Sequence, residues 1–106
     1  MIRDKVELGE TELPISLSVG GTPIGGACTI EDDQAGTLRF EGLDVIARVF
    51  FAEYLGPGGP GEDARVQDVW VVDHTRHRTM RAPEATVRHF SAGMGELELS
   101  AAFVDL

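Results

Sequence analysis

Residues 12–19 read ELPISLSV, and they place an apolar side chain at every second position. The apolar positions are Leu13, Ile15, Leu17 and Val19. An alternation with a period of two is typical of a strand that buries one face in a core. The stretch therefore predicts a half-buried β-strand. Because proline cannot donate a backbone hydrogen bond, Pro14 predicts a sheet edge or a bulge at this strand.

Other segments also have the residue pattern of β-strands. Residues 37–41 place Leu38 and Phe40 on one face, and residues 95–106 alternate along most of their length. Residues 64–77 are rich in valine and contain the only tryptophan, so they also predict a strand. Turn signals fall at short intervals, at residues 9–10, 20–21, 31–36, 42, 56–61, 83 and 93–95. Such closely spaced turns favour an antiparallel sheet over long helices.

Residues 43–55 are ambiguous between strand and helix. Asp44, Arg48 and Glu53 occupy positions that suit a helix, and the following Gly56-Pro57 would end one. The segment is also rich in β-branched and aromatic residues, which favour a strand. We expect a strand that forms a long hairpin with residues 64–77, and we keep a helix as the alternative.

The pattern predicts an all-β chain: an antiparallel β-sandwich or small β-barrel of roughly seven to eight strands, with at most one short helix. The chain has 106 residues, which is the size of one ordinary domain, so residues 1–106 are expected to form a single domain. With 42% hydrophobic residues, the sequence can build a core without a metal or a disulfide.

Charge and cysteine content exclude several classes. The formal net charge is −9, which disfavours nucleic-acid binding because phosphate contacts need basic side chains. Cys28 is the only cysteine, so no disulfide can form within the chain, and we expect a cytoplasmic protein. No segment approaches the roughly 20 apolar residues of a membrane helix. One lysine against eight arginines, with no asparagine, indicates a GC-rich bacterial or phage gene.

The main candidate binding segment is residues 73–90. It carries four arginines against two carboxylates, whereas residues 1–72 carry five basic and 13 acidic residues. If the start of the segment is a strand, His74, Arg76 and Arg78 share one face, and Arg81 follows. Arginines in this arrangement can bind a carboxylate, a phosphate or an acidic partner surface. The alternative is that they form ion pairs within the chain or with a neighbouring copy.

Tyr54 and Trp70 are the aromatic residues expected to reach a pocket or an interface, because each combines a ring with a polar group. With His74, they are the expected contacts for a small hydrophobic ligand. Core packing is the alternative for both rings.

Metal and nucleophile signals are weak. Asp73, His74, His77 and His89 are the possible metal ligands, but His74 and His77 would point to opposite faces of a strand. Cys28 is expected to be small and buried, and Ser91 near His89 matches no catalytic motif. The acidic residues 31–33 are expected to form a hairpin turn. No glycine pattern matches a phosphate or dinucleotide loop, so we expect no cofactor and no metal.

The leading functional hypothesis is a non-catalytic interaction or assembly module, such as a subunit of a bacterial or phage particle or an accessory binding protein. Its partner would be itself or another protein, and a homo-oligomer is expected. The alternative is a small β-barrel that encloses a hydrophobic ligand, as a cyclase or isomerase would. A third hypothesis, an acidic mimic of nucleic acid, has only the net charge to support it.

Overall fold

The computed structural model describes residues 13–59, 61 and 64–106. These residues form eight antiparallel strands and one helix, in the order β1 (Ile15–Val19), β2 (Thr22–Ala27), β3 (Thr29–Asp32), β4 (Thr37–Glu41), α1 (Val45–Leu55), β5 (Arg65–Asp73), β6 (Arg78–Ser91), β7 (Glu96–Ser100) and β8 (Val104–Asp105). In the sheet the strands lie in the order β2-β1-β5-β6-β7-β4-β3, and β8 pairs with β6. The predicted all-β class with a single short helix is confirmed.

Two segments bring the parts of this sheet together around one core. β2 and β3 stand at opposite ends of the strand order, yet only Cys28 separates them along the chain. The Cys28 N–H donates to the carbonyl oxygen of Glu41 at 2.9 Å, which holds the bend against β4. The 14-residue β6 pairs with β5 along its first part and with β7 from Thr86 onward. The two halves of the sheet therefore share β6 and close around one core.

The core follows the predicted period of two. Ile15 and Leu17 point inward from β1, while Ser16 and Ser18 point outward. The inward positions of β4 and β7 are likewise Leu38, Phe40, Leu97 and Leu99. The largest buried side chains are Phe40 and Phe51, and both are fully enclosed. The interior is thus filled by aliphatic and aromatic side chains from the strands and α1.

The strand expected at residues 43–55 is wrong, because the segment contains α1. The Asp44 side chain caps the helix by accepting the Ala47 N–H at 2.8 Å. Gly56 ends the helix with φ +80°, and its N–H donates to the Ala52 carbonyl oxygen. Ala47 and Phe51, one turn apart, face the core. Capping and this buried pair outweigh the β propensity of the intervening residues.

Other boundaries also differ from expectation. Residues 64–77 do not continue as a strand, since β5 ends at Asp73 and residues 74–77 form a tight turn into β6. The long hairpin expected between residues 43–55 and 64–77 is therefore absent from the described chain. Pro83 lies inside β6, and the C-terminal strand is interrupted at residues 101–103.

Pro14 does not mark a sheet edge, but β1 contains the alternative, a register shift between Leu17 and Ser18 in its pairing with β2. Pro14 lies just before β1, which pairs with β2 on one side and β5 on the other. The turn expected at residues 9–10 lies outside the described residues.

Candidate functional site

The predicted arginine stripe does not form, because the turn at residues 74–77 interrupts it. Arg76 belongs to this turn, and its Nη1 donates to Oδ2 of Asp73 at 2.8 Å. Asp73 Oδ1 accepts the backbone N–H groups of Thr75 and Arg76. Burial opposes ionisation of this carboxyl, but the hydrogen bonds from Arg76 and from the backbone outweigh it and hold the pKa of Asp73 below its usual value.

Arg78 connects three strands. Its Nε donates to Asp105 of β8 at 3.0 Å, and its Nη2 donates to Asp32 of β3 at 3.3 Å. The hydrogen bond to Asp105 is the main cause of a raised pKa for Arg78. These contacts tie β6 to two neighbouring segments.

Arg81 is paired as well. Its Nε and Nη2 contact Asp68 Oδ1 at 3.1 and 3.0 Å, and its guanidinium lies 5.4 Å from the centre of the Trp70 ring. All three candidate arginines, Arg76, Arg78 and Arg81, thus pair with carboxylates of the same chain. Ion pairing within the chain, the alternative that the sequence left open, is the arrangement observed.

Trp70 and His74 come together at a groove on the outer face of β1 and β5. The His74 Nε2 lies 2.7 Å from the Ser16 Oγ, within hydrogen-bond distance. Leu13, Pro14, Pro23 and Val72 supply apolar walls. The groove is open to solvent and has a volume of about 900 Å³.

The indole of Trp70 is held in place by a hydrogen bond to a neighbouring carboxylate. Its Nε1–H donates to Asp68 Oδ1 at 3.1 Å, on the carboxylate that also pairs with Arg81. Asp68 has φ +51°, a left-handed conformation that is uncommon for a residue other than glycine. Gly20 donates its N–H to the carbonyl oxygens of Gln67 and Asp68 and so supports this irregularity. Trp70 is therefore a fixed aromatic platform beside the groove.

Ser16 is the site residue that the sequence did not single out. Its side chain points outward from the middle of β1, like any solvated serine on an amphipathic strand. His74 is 58 residues away in sequence. Only the pairing of β1 with β5 brings the two together, so no local pattern could have identified the pair.

The contact between Ser16 and His74 places a serine hydroxyl beside an imidazole, as in the pairing of a nucleophile with a general base. An acyl-transfer site needs backbone or side-chain donors aimed at a developing oxyanion. The backbone around Ser16 is instead committed to the ladders with β2 and β5. Among the described residues, no carboxylate is hydrogen-bonded to His74.

Tyr54 is not near the groove. It lies on α1, where its ring stacks on Phe50 at 5.8 Å and its hydroxyl donates to the Arg65 carbonyl oxygen. The three expected contacts for an enclosed hydrophobic ligand are therefore divided between two outer surfaces. The interior of the fold is occupied by the core side chains.

A second surface is formed by the outward side of α1. Val45, Ile46 and Val49 are 70%, 59% and 49% exposed and point away from the buried Ala47 and Phe51. We call these three residues the α1 face. Tyr54 flanks it along the helix and is also exposed.

Met94, which is 69% exposed, belongs to the turn between β6 and β7 that is attached to the start of α1. The Leu43 N–H donates to the Gly95 carbonyl oxygen, and Arg48 donates to the carbonyl oxygen of Ala92. Most of the large apolar side chains exposed on the described residues therefore belong to α1 or to the turn bonded to it.

The remaining candidates have structural roles. Asp32 and Asp33 accept backbone N–H groups of residues 34, 35 and 37, which confirms the predicted acidic hairpin turn. Ser91 accepts the Met94 N–H in the next turn, and His89 lies 3.2 Å from Glu96. Cys28 is exposed at the bend between β2 and β3, so the expectation of a buried cysteine is wrong.

In residues 13–59, 61 and 64–106, no three His, Cys, Asp or Glu side chains are grouped so that they could hold a metal ion. The one helix of these ranges is too short to cross a membrane. No protein-family model matches the sequence, and searches of curated proteins and of solved structures find no significant match.

Proposed function

We propose that this chain is a non-catalytic interaction module that assembles through the α1 face, as a subunit of a bacterial or phage particle or an accessory binding protein would. The observation that carries the proposal is the exposure of Val45, Ile46 and Val49 on one side of a single helix. Contiguous apolar surface on a small protein usually marks a binding site, since leaving it in water is unfavourable.

The preferred partner is a second copy of the chain. The exposed side of α1 carries Glu53 as its only charged group, whereas the chain as a whole has a net charge of −9. Two copies can therefore meet at α1 while their acidic surfaces stay apart. Arg76, Arg78 and Arg81 contribute less to this proposal, because each already has a carboxylate partner within the chain.

The interface must extend beyond the helix. An 11-residue helix is only about 16 Å long, and a stable interface buries roughly 800 Å² on each partner. The other large exposed side chains in this region are Met94, in the turn bonded to the start of α1, and Tyr54, near the end of α1. We expect both to be partly covered in the assembly.

The test is sedimentation velocity over a range of protein concentrations. The wild-type chain is expected to form a defined oligomer, and Ile46→Glu and Val49→Glu are expected to give monomers. Val104→Glu is the matched control, since Val104 is 58% exposed but lies on β8. A wild-type monomer at every concentration would contradict self-assembly, and so would an oligomer that survives both α1 substitutions.

Salt distinguishes a second copy from a foreign partner. Added salt screens the repulsion between two acidic copies, so self-association should strengthen as ionic strength rises. A complex with a basic protein should weaken under the same conditions. An association that weakens as salt is added would therefore contradict the homo-oligomer and indicate a basic partner.

A further inference from the structure

The groove beside Trp70 lies on a different surface from α1, and its chemistry can be considered independently. Its floor is the outward side of β1 and β5, and its apolar walls include Pro14, Pro23 and Val72. Trp70 is already fixed by its hydrogen bond to Asp68. Because the ring is already ordered, a ligand that packs against it does not incur the entropic cost of ordering that side chain, which favours binding.

The polar groups at the groove select for a hydrogen-bond acceptor. If His74 Nε2–H donates to Ser16 Oγ, the serine hydroxyl hydrogen is available to a ligand. If the hydroxyl donates to Nε2 instead, the Nδ1–H of His74 is available. Either tautomer leaves one outward donor, and a peptide carbonyl oxygen is an acceptor that fits it.

The groove offers little to a ligand that carries many N–H donors. β1 is paired on both sides, so its backbone cannot accept an additional strand. An extended peptide lying over this face would therefore leave its own N–H groups without backbone partners. Proline has no N–H, and the polyproline II conformation needs no ladder hydrogen bonds.

The charge around the groove and the length of the groove also favour a ligand in the polyproline II conformation. Arg81, the basic group nearest Trp70, is paired with Asp68, so a neutral segment fits better than an anion. From Pro14 to Ser18 the floor runs four residues along β1, about 13 Å at the rise of a strand. Four to five residues of polyproline II, at about 3.1 Å each, cover the same distance.

We propose that this groove binds a proline-rich segment of a partner protein in the polyproline II conformation. Proline rings pack against Trp70 and the apolar walls, and a carbonyl oxygen of the segment accepts a hydrogen bond from the Ser16 and His74 pair. Rings on an aromatic surface with few polar contacts are the general mode by which folded domains recognise such segments.

Trp70 is the only tryptophan, so its fluorescence reports directly on the groove. Titration with a polyproline peptide of about ten residues is expected to give a saturable change, whereas a Gly/Ser peptide of equal length gives none. His74→Ala and Ser16→Ala are each expected to weaken binding about five- to tenfold. Trp70→Phe, followed by calorimetry, is expected to weaken it without loss of folding.

Matched controls separate this proposal from assembly through α1. His89→Ala removes an exposed histidine of β6 outside the groove and should bind the peptide like the wild type. Ile46→Glu should also bind it normally, and His74→Ala should keep the wild-type oligomeric state. The experiments can therefore show that one proposal is wrong while the other still holds.

Three results would overturn the proposal. The first is the absence of a saturable response to polyproline, and the second is an equal response to the Gly/Ser peptide. The third is a saturable response to a small apolar dye alone, which would assign the groove to small molecules.

Discussion

Asp73 and Arg76 form an ion pair of 2.8 Å across the turn from β5 to β6, and the two side chains differ sharply in environment. The Asp73 side chain is 2% exposed, and that of Arg76 is 65% exposed. The carboxylate also accepts two backbone N–H groups of the turn. Asp73 therefore organises the turn, while Arg76 adds one contact from the solvent side.

This asymmetry predicts unequal effects of removing the two partners. Asp73→Ala removes the acceptor of two part-buried backbone N–H groups of the turn and should lower the free energy of unfolding by about 1–3 kcal/mol. Arg76→Ala should cost less than about 1 kcal/mol, because the Arg76 guanidinium is mostly in solvent, which screens its attraction to Asp73, and the backbone N–H groups still bind the carboxylate. Urea denaturation of both variants measures the difference. Equal losses would show that the ion pair, not the turn, holds the carboxylate.

Acid should destabilise the protein through the same carboxyl group. The pKa of Asp73 in the folded state is lowered by its hydrogen bonds from Arg76 and the backbone, although burial opposes this. A lowered pKa stabilises the fold above the unfolded value of about 3.9, and that stability is lost as pH falls through the folded value. Melting temperatures should fall more steeply below about pH 4 in the wild type than in Asp73→Asn. Parallel curves would contradict this assignment.

Asp44 links α1 to the sheet as well as capping the helix. Its side chain accepts the Ala47 N–H, and its own N–H donates to the Gly26 carbonyl oxygen at 2.9 Å. Asp44→Ala is expected to lower the free energy of unfolding by about 1–2 kcal/mol, while Asp44→Asn retains most of the stability. Thermal denaturation followed by circular dichroism tests both variants. An unchanged Asp44→Ala protein would show that packing of Phe51 alone holds α1.

The sheet could be predicted from sequence because its signal is local. The alternation in β1, β4 and β7 directly reflects which side chains enter the core. The helix was harder, since Val45, Ile46 and Val49 lie on the solvent side of α1 and obscure the usual amphipathic pattern. A helix that exposes apolar side chains lacks the one-sided pattern by which an amphipathic helix is recognised. The stop at Gly56-Pro57 was the local signal that favoured the helix.

The candidate sites depend on contacts between residues that are far apart in the sequence, and local sequence patterns do not reveal such contacts. Arg78 meets Asp32, 46 residues earlier, and Asp105, 27 residues later. The charge bias of residues 73–90 was real, but strand order determines which carboxylates neutralise it. The grouping of Trp70 with His74 could be anticipated because both lie close together in sequence, whereas Ser16 required the pairing of β1 with β5.

The long strand β6 has a consequence for how the protein unfolds. Because β6 pairs with β5 on one side and with β7 on the other, its release separates the β2-β1-β5 half of the sheet from the β7-β4-β3 half. β1 also has to pair with β5, although β2, β3, β4 and α1 lie between them in the sequence. Bringing such distant parts of the chain together costs entropy before the contact forms. Such non-local pairing slows folding and makes it cooperative. Backbone amides in the middle of β6 should therefore exchange with solvent only when the entire molecule opens.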